Sequence, residues 1–394
     1  MKSSDGGVSA FVIVVIVLCV FLFVLVAAAG GFLVFYEPDT SGNAITAYRY
    51  VTDEEGNVMY ETDEEGNMVY AVDSNGDQTS GKYNFLVVGH DKISRNTDII
   101  MIVSYDTYEG SISIVQIPRD TYVNVDFMSS HKINAAYTKY YSLARSAGSE
   151  NPDYDALMSL SALVTENFGV KINYAAVFDI EGFTNVIDIL GGVWIDVPYD
   201  LNYEDPGQNL YIHLSAGYQL LDGDQAMQFV RYRKGYAEQD LGRQDAMKIF
   251  ISALLSQLKA NMSVSTVSEI ASELLDNMIS NIGLADFIYF AKSALSVDLS
   301  KVYLMTLPGV SMTVNGASVY VLYKADVAEI ISNYLNVYVD DFDTDDFDPY
   351  GIFTSDSSSV SEVYNSPLGT GEYIVYNAAD VNENSIDIPT GSLY

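Results

Sequence analysis

From residue 8 to residue 36 (VSAFVIVVIVLCVFLFVLVAAAGGFLVFY) the chain carries no charged side chain. About 20 such residues cross a bilayer as a helix rising 1.5 Å per residue, so the run reads as one transmembrane helix. Small residues at 27–31 would also suit a cleavable signal peptide, but the apolar stretch is roughly twice the length of an ordinary signal core. Lys2 and the α-amine precede the run, opposed by Asp5. That bias points to a cytoplasmic N-terminus and an extracytoplasmic remainder, a single-pass protein of the cell membrane. The only cysteine, Cys19, falls inside the span. The exported part therefore has no thiol for a disulfide framework or a cysteine-based zinc site, and its core must be hydrophobic.

Charge excludes a further class. The 394 residues carry 53 Asp and Glu against 19 Lys and Arg, a net charge of −34. Such a field repels phosphate backbones, so nucleic acid is not an expected partner.

Five regions follow from the composition. Residues 1–7 form a short cytoplasmic tail and residues 8–36 the membrane helix. Residues 37–81 hold an acidic repeat of period ten, Thr52-Asp-Glu-Glu-Gly-Asn and Thr62-Asp-Glu-Glu-Gly-Asn, with a degenerate copy at Val72-Asp-Ser-Asn-Gly-Asp. Turns at Gly56, Gly66 and Gly76 between Val/Met/Tyr stretches suggest successive β-hairpins in a stalk. A calcium loop is the sharper reading of Asp73-x-Asn75-Gly76-Asp77, but the downstream bidentate Glu and flanking helices of an EF-hand are missing. Residues 82–336 form the globular domain. Residues 337–394, with no Lys or Arg after Lys324 and an Asp-rich start, are expected to be a disordered or loosely attached tail.

Within the globular part, residues 83–89, 98–105 and 111–117 are short β-branched apolar runs, as in strands covered on both faces. Residues 154–168 and 245–260 show helical apolar stripes. Residues 174–178, 181–190 and 193–197 read as strand, helix, strand, with Gly191-Gly192 as the break. The expected assembly is a three-layer α/β/α sandwich around a central mixed sheet, behind the one N-terminal membrane helix.

The seven arginines indicate the chemistry. Five fall in two groups, Arg95 with Arg119, and Arg231-x-Arg233 with Arg243. Guanidinium forks suit phosphate oxygens, and period-2 alternation would point Arg231 and Arg233 the same way. Ordinary salt bridging with the abundant acids accounts for the arginines equally well. Asp91 and Asp98 lie beside Arg95 at the ends of two expected strands, where open α/β sheets place ligand loops. Two carboxylates beside a phosphate-binding arginine suit hydrated Mg²⁺, with Mn²⁺ an alternative. Either aspartate alone would serve as a loop cap. The histidines His90, His131 and His213 are too scattered for a metal triad, and His90 is the one nearest the pocket.

The chain resembles the LytR-CpsA-Psr family over residues 82–336. The resemblance rests on Asn84-Phe-Leu-Val-Val-Gly89 with Asp91, Asn96-Thr-Asp98, Gln116-Ile-Pro-Arg-Asp-Thr-Tyr122, Lys132-Ile-Asn-Ala-Ala-Tyr137, Asp188-Ile-Leu-Gly-Gly-Val193, Leu221-Asp-Gly223, Val230-Arg-Tyr-Arg233 and Asp240-Leu-Gly-Arg243, in order. It implies transfer of a glycopolymer such as teichoic acid or capsule from a polyprenyl-pyrophosphate carrier to peptidoglycan in a Gram-positive-type envelope. It further implies pyrophosphate contacts from Arg119, Arg231, Arg233 and Arg243 with Lys132 nearby, with Arg95 counted in the same pyrophosphate-binding set, and Mg²⁺ on Asp91 and Asp98. Catalysis would fall to Asp91, Asp98 and Arg119. The sequence departs from the family pattern in three places. Arg95 stands one residue before the usual arginine position, which is Asn96 here; Tyr140-Tyr141 replaces a glycine pair; and Met247 replaces a glutamine. A lipid-pyrophosphate hydrolase and a non-catalytic envelope-binding protein are the other readings of the same residues.

Overall fold

The computed structural model describes most of residues 78–339, short pieces between residues 38 and 71, Phe342, and residues 373–383. The expected membrane helix at 8–36 lies outside the described residues, and no described helix is long and apolar enough to cross a membrane.

Alternation along two strands builds the molecule. In β1 (Lys82–His90) and β2 (Thr97–Asp106), Tyr83, Phe85, Val87, Ile99, Met101 and Val103 enter one apolar cluster. Leu86, Val88, Ile100 and Ile102 enter the other. Successive side chains of a strand point to opposite faces, so a sheet with apolar side chains on both faces must be covered on both sides. It is covered by helices. The first face packs against α3 (Ile180–Ile189), α5 (Asp240–Asn261) and α6 (Leu284–Ala294), through Phe183, Phe250 and Phe290. The second packs against α1 (Ala136–Ser146), α2 (Pro152–Phe168) and α7 (Lys324–Ile330), through Tyr137, Leu160 and Ile330. Each fully buried apolar side chain of this size contributes about 1.5–3 kcal/mol relative to leaving it in water.

Among the described residues the central sheet has seven strands in the order β9-β4-β1-β2-β3-β10-β13, where β3 is Ser111–Ile117, β4 Tyr174–Phe178, β9 Met278–Ser280, β10 Val302–Thr306 and β13 Tyr376–Asn377. β1 runs parallel to β4 and β3 parallel to β10, while the other pairs are antiparallel, so the sheet is mixed as expected. The carboxyl ends of β1, β3, β4 and β10 therefore share one edge with the start of β2. Two further antiparallel pairs are β5 (Val193–Val197) with β8 (Gly217–Leu221), and β6 (Leu201–Asp205) with β7 (Leu210–Leu214). A third joins β11 (Gly309–Val314) to β12 (Ala317–Leu322).

Several of the ordered motifs are explained by packing. Asp222 caps α4 (Gly223–Arg231) with a capping box to Gln225, and the Gly223 N–H donates to Asp188 Oδ1 at 2.8 Å. A Cβ at Gly223 would sit 2.4 Å from the Thr184 carbonyl oxygen, so α3 and α4 approach as closely as they do because that residue has no side chain. Asn84 is wholly buried and donates to the carbonyls of Lys171 (3.0 Å) and Leu335 (2.8 Å), tying β1 to the approach to β4 and to the segment after α7.

Two regions differ from expectation. Rather than hanging loose, the tail beginning at 337 supplies, from its residues 373–383, the edge strand β13 and the helix α8 (Ala378–Glu383), whose Ala378 and Val381 are buried in the first cluster. Sparse apolar residues in an acidic setting suffice because the sheet edge and α5 provide the rest of the interface. In the stalk, Tyr50–Thr52 pairs with Val58–Tyr60 as a hairpin across the first repeat. The second repeat's Tyr70–Ala71 pairs with Ala47–Tyr48 rather than with its neighbour, and Ile45 is buried in the cluster that contains α2. The turn glycines Gly56, Gly66 and Gly76 and the calcium-like Asp73, Asn75 and Asp77 lie outside the described residues.

Candidate active site

The turn after β3 carries the central residue. Thr121 N–H donates to the Pro118 carbonyl at 2.9 Å, closing a four-residue turn that puts Arg119 and Asp120 at its corner. Two neighbours hold the turn by its backbone. On one side Tyr320 of β12 accepts from Tyr122 N–H and donates to the Asp120 carbonyl, both at 2.8 Å. On the other, the Lys132-Ile-Asn segment donates from Ile133 N–H to the Thr121 carbonyl (3.0 Å) and from Asn134 N–H to the Arg119 carbonyl (3.1 Å). Thr97 at the head of β2 closes the ring through its hydroxyl, which donates to the Asn134 carbonyl at 3.3 Å.

Within this frame four charged side chains meet. Arg119 Nη1 donates to Asp98 Oδ1, and Arg119 Nε lies 3.7 Å from Asp120 Oδ1, which Lys132 Nζ approaches to 3.2 Å. The Asp98 side chain is 9% exposed and that of Arg119 is 24% exposed, so the pair sits at the floor of the edge with the guanidinium partly open to solvent. Two cations and two carboxylates balance. The ordinary ion-pairing reading holds for Arg119, which is salt-bridged at the edge where the parallel strands end.

Of the residues singled out from the sequence, Asp98, Arg119 and Lys132 lie together. Asp120, not singled out from the sequence although it adjoins Arg119 in the motif, is the fourth member. Arg231 is the last residue of α4 and is buried. Arg243 lies in the first turn of α5, where only its backbone is described. Asp91, Asn96 and Arg233 lie outside the described residues. Met247 is fully buried in the first cluster, so its helix position faces the core.

Arg95 takes a different set of partners. Its Nε donates to Asp153 Oδ1 at 3.0 Å, and its guanidinium carbon stands 3.8 Å from the centre of the Tyr141 ring. Desolvation alone would lower the Arg95 pKa, but the hydrogen bond and charge of Asp153 outweigh it and hold the group above its ordinary value. His90, at the end of β1, is buried and stacked on Tyr137 with ring centroids 5.2 Å apart. His131 stacks on Tyr122, and His213 is half exposed beside Glu204 on the β6–β7 pair.

Among the described residues no three His, Cys, Asp or Glu side chains gather as a metal-binding group. A divalent ion at this edge would be held by one or two carboxylates, Asp98 among them, and otherwise by water and phosphate oxygens, which is how Mg²⁺ ordinarily binds.

The chain is 28% identical over 195 residues to the polyisoprenyl-teichoic acid–peptidoglycan teichoic acid transferase TagV of Bacillus subtilis, covering 48% of this chain and 46% of that protein. It is 26% identical over 252 residues to the transferase TagU of Oceanobacillus iheyensis, covering 63% of this chain and 74% of that one. The chain thus spans about half the length of TagV. Among solved structures, TagT bound to LIIa-WTA superposes with a TM-score of 0.51 at 22% identity, over 70% of this chain and 99% of that one, a likeness of fold. The model of the LytR_cpsA_psr family matches residues 46–335, which takes in Ala47–Tyr48 and every strand of the central sheet except the edge strand β13. The chain belongs to the LytR_cpsA_psr family.

Proposed function

We propose that this protein transfers a glycopolymer from a polyprenyl-pyrophosphate carrier to peptidoglycan. The observation that carries the reading is the Arg119–Asp98–Asp120–Lys132 cluster at the shared edge of the parallel strands, in a chain whose relatives are teichoic acid transferases. A hydroxyl of the acceptor sugar attacks the phosphorus nearest the donor glycan. A new P–O bond forms, the bridging P–O bond breaks, and polyprenyl phosphate leaves; the hydroxyl proton passes to a carboxylate, Asp98 or Asp91. Arg119 and Lys132 supply charge for the phosphate oxygens, joined by Arg231, Arg233 and Arg243. Because the cluster is balanced in the free protein, an incoming pyrophosphate exchanges Arg119 from carboxylate to phosphate. Catalysis then consists chiefly of positioning and charge stabilisation. Mg²⁺ held by Asp98 and Asp91 would neutralise further phosphate charge when bound. Residues 8–36 would anchor the domain, residues 82–336 with their added flanks, on the outer face of the membrane where the carrier lies.

The test combines the purified protein, a short polyprenyl-pyrophosphate glycan, an uncross-linked peptidoglycan oligomer and Mg²⁺, with products read by mass. A phosphodiester-linked glycan on the acceptor, absent in Arg119→Ala, is the expected result. Glycosyl phosphate released without acceptor would instead identify a hydrolase, and unchanged donor that binds tightly would identify a binding protein.

A further inference from the structure

Arg95 has a backbone φ of 53°, one of two described non-glycine residues in the left-handed region. That conformation is costly for a residue with a Cβ and persists where surrounding contacts enforce it. The contacts come from one corner between α1 and α2. Asp153, in the first turn of α2, accepts from Arg95 Nε, and Tyr141 of α1 lies under the guanidinium at 3.8 Å. One turn earlier on the same face of α1, Tyr137 directs its hydroxyl at Asp153, 3.1 Å from the carbonyl oxygen and 3.2 Å from Oδ1. The Tyr137 ring also stacks on His90. His90 is the register partner of Thr97 across β1 and β2. One corner therefore grips the last residue of β1 and the residue two before β2, and Asp98 is the second residue of β2. The Arg95 shift and the Tyr140-Tyr141 substitution, separate departures in the sequence, meet in this single contact.

We propose that Asp153 and Tyr141 are positioning residues. Through Arg95 they fix the entry to β2 and so the placement of Asp98 against Arg119, and Arg95 serves this clamp in place of a pyrophosphate contact. The turnover part of the test rests on the transferase reading above; the structural part does not.

The test uses the full chain in lipid nanodiscs, with wild type, Arg95→Ala, Asp153→Asn, Tyr141→Ala, Tyr141→Phe and the double variant Arg95→Ala/Tyr141→Ala. Amide hydrogen exchange over residues 97–101 is measured beside kcat and KM for the polyprenyl-pyrophosphate glycan. The clamp predicts exchange faster by about tenfold in Arg95→Ala, Asp153→Asn and Tyr141→Ala, the scale of one charge-assisted contact. It predicts kcat lower by a similar factor with KM little changed, a double variant no worse than either single one, and Tyr141→Phe close to wild type because the ring face is kept. Unaltered exchange in both Asp153→Asn and Tyr141→Ala overturns the proposal whatever happens to turnover. A KM raised in Arg95→Ala alone also overturns it, by making Arg95 a phosphate ligand. Wild type inactive on every donor counts against the transferase reading, and the exchange data then decide the clamp by themselves.

Discussion

Nη1 of Arg119, two residues past the end of β3, donates to Oδ1 of Asp98, the second residue of β2, so one ion pair joins the ends of adjacent strands. Asp98 is nearly buried, and removing its partner leaves a carboxylate with less compensation. Arg119→Ala is expected to destabilise the domain by on the order of 2 kcal/mol, below the range for fully buried pairs because the guanidinium is partly solvated. Adding Asp98→Asn should restore most of that stability without restoring transfer. Denaturant midpoints and the product assay on the single and double variants check this; a double variant as unstable as Arg119→Ala would show that the pair is not what holds the turn.

Asn84 opens the first family motif, and its importance is structural. Replacing it by Ala leaves two buried carbonyls, those of Lys171 and Leu335, without their donor. At about 1–3 kcal/mol for each unsatisfied buried group, Asn84→Ala should cost several kcal/mol. An unfolding midpoint within error of wild type would mean that water replaces both bonds.

Gly223 is expected to reject any side chain. Its added Cβ would stand 2.4 Å from a backbone oxygen of α3, which cannot swing aside as a side chain could. Gly223→Ala should destabilise by about 1–3 kcal/mol, the usual cost of overpacking. It should also disturb Arg231 at the far end of the same helix, so loss of donor affinity is expected to accompany the loss of stability. Thermal unfolding together with donor binding measures both.

The strands were legible because the sheet is covered on both faces: uninterrupted β-branched runs placed β1, β2, β3 and β4 to within a residue or two of their ends. The pair β6–β7 and the strand β11 escaped because they mix buried with exposed residues and offer no apolar run, whereas β12 carries the short buried run Val319–Leu322, which was not singled out. α1 escaped for another reason. Its sequence AYTKYYSLARS hides a buried face made of Ala and Tyr, residues that also suit surfaces. In the site, Arg119, Asp98 and Lys132 were visible as motif residues, whereas the pairing of Arg95 with Asp153, 58 positions away, was not. Sequence spacing carries no information about which acid an arginine will find in so acidic a chain.

Alkaline pH should unfold the domain through its buried tyrosines. Burial raises the pKa of Tyr105, and burial followed by the charge of Asp153 raises that of Tyr137. In the unfolded chain a tyrosine loses its proton near pH 10. Above that value the native state holds more protons than the unfolded state, so the contribution to stability is complete below about pH 10 and is lost as pH rises towards the native values. Tyrosinate absorbance should therefore rise in two steps, exposed groups first and the buried ones only together with loss of ellipticity. Tyr137→Phe should shallow the decline in stability above pH 10. Full ionisation of all tyrosines in a still-folded domain would contradict the burial assigned to these two.

The segment 373–383 makes the last prediction. Ala378 is completely buried, its carbonyl accepts from the Ser252 hydroxyl, and Val381 is 4% exposed, while Tyr376 covers the buried Lys248 with its ring 4.8 Å from Nζ. Ending the chain at residue 372 would uncover this part of α5 and leave β10 as a bare sheet edge. The truncated protein should be destabilised by about 2–4 kcal/mol, the scale of losing two buried apolar side chains and a hydrogen bond. Val381→Asp should reproduce a large part of the effect without shortening the chain, because it places an unpaired charge in the apolar cluster. Midpoints unchanged in both would mean that α5 and the β10 edge are stable uncovered and that the segment rests on them without holding them.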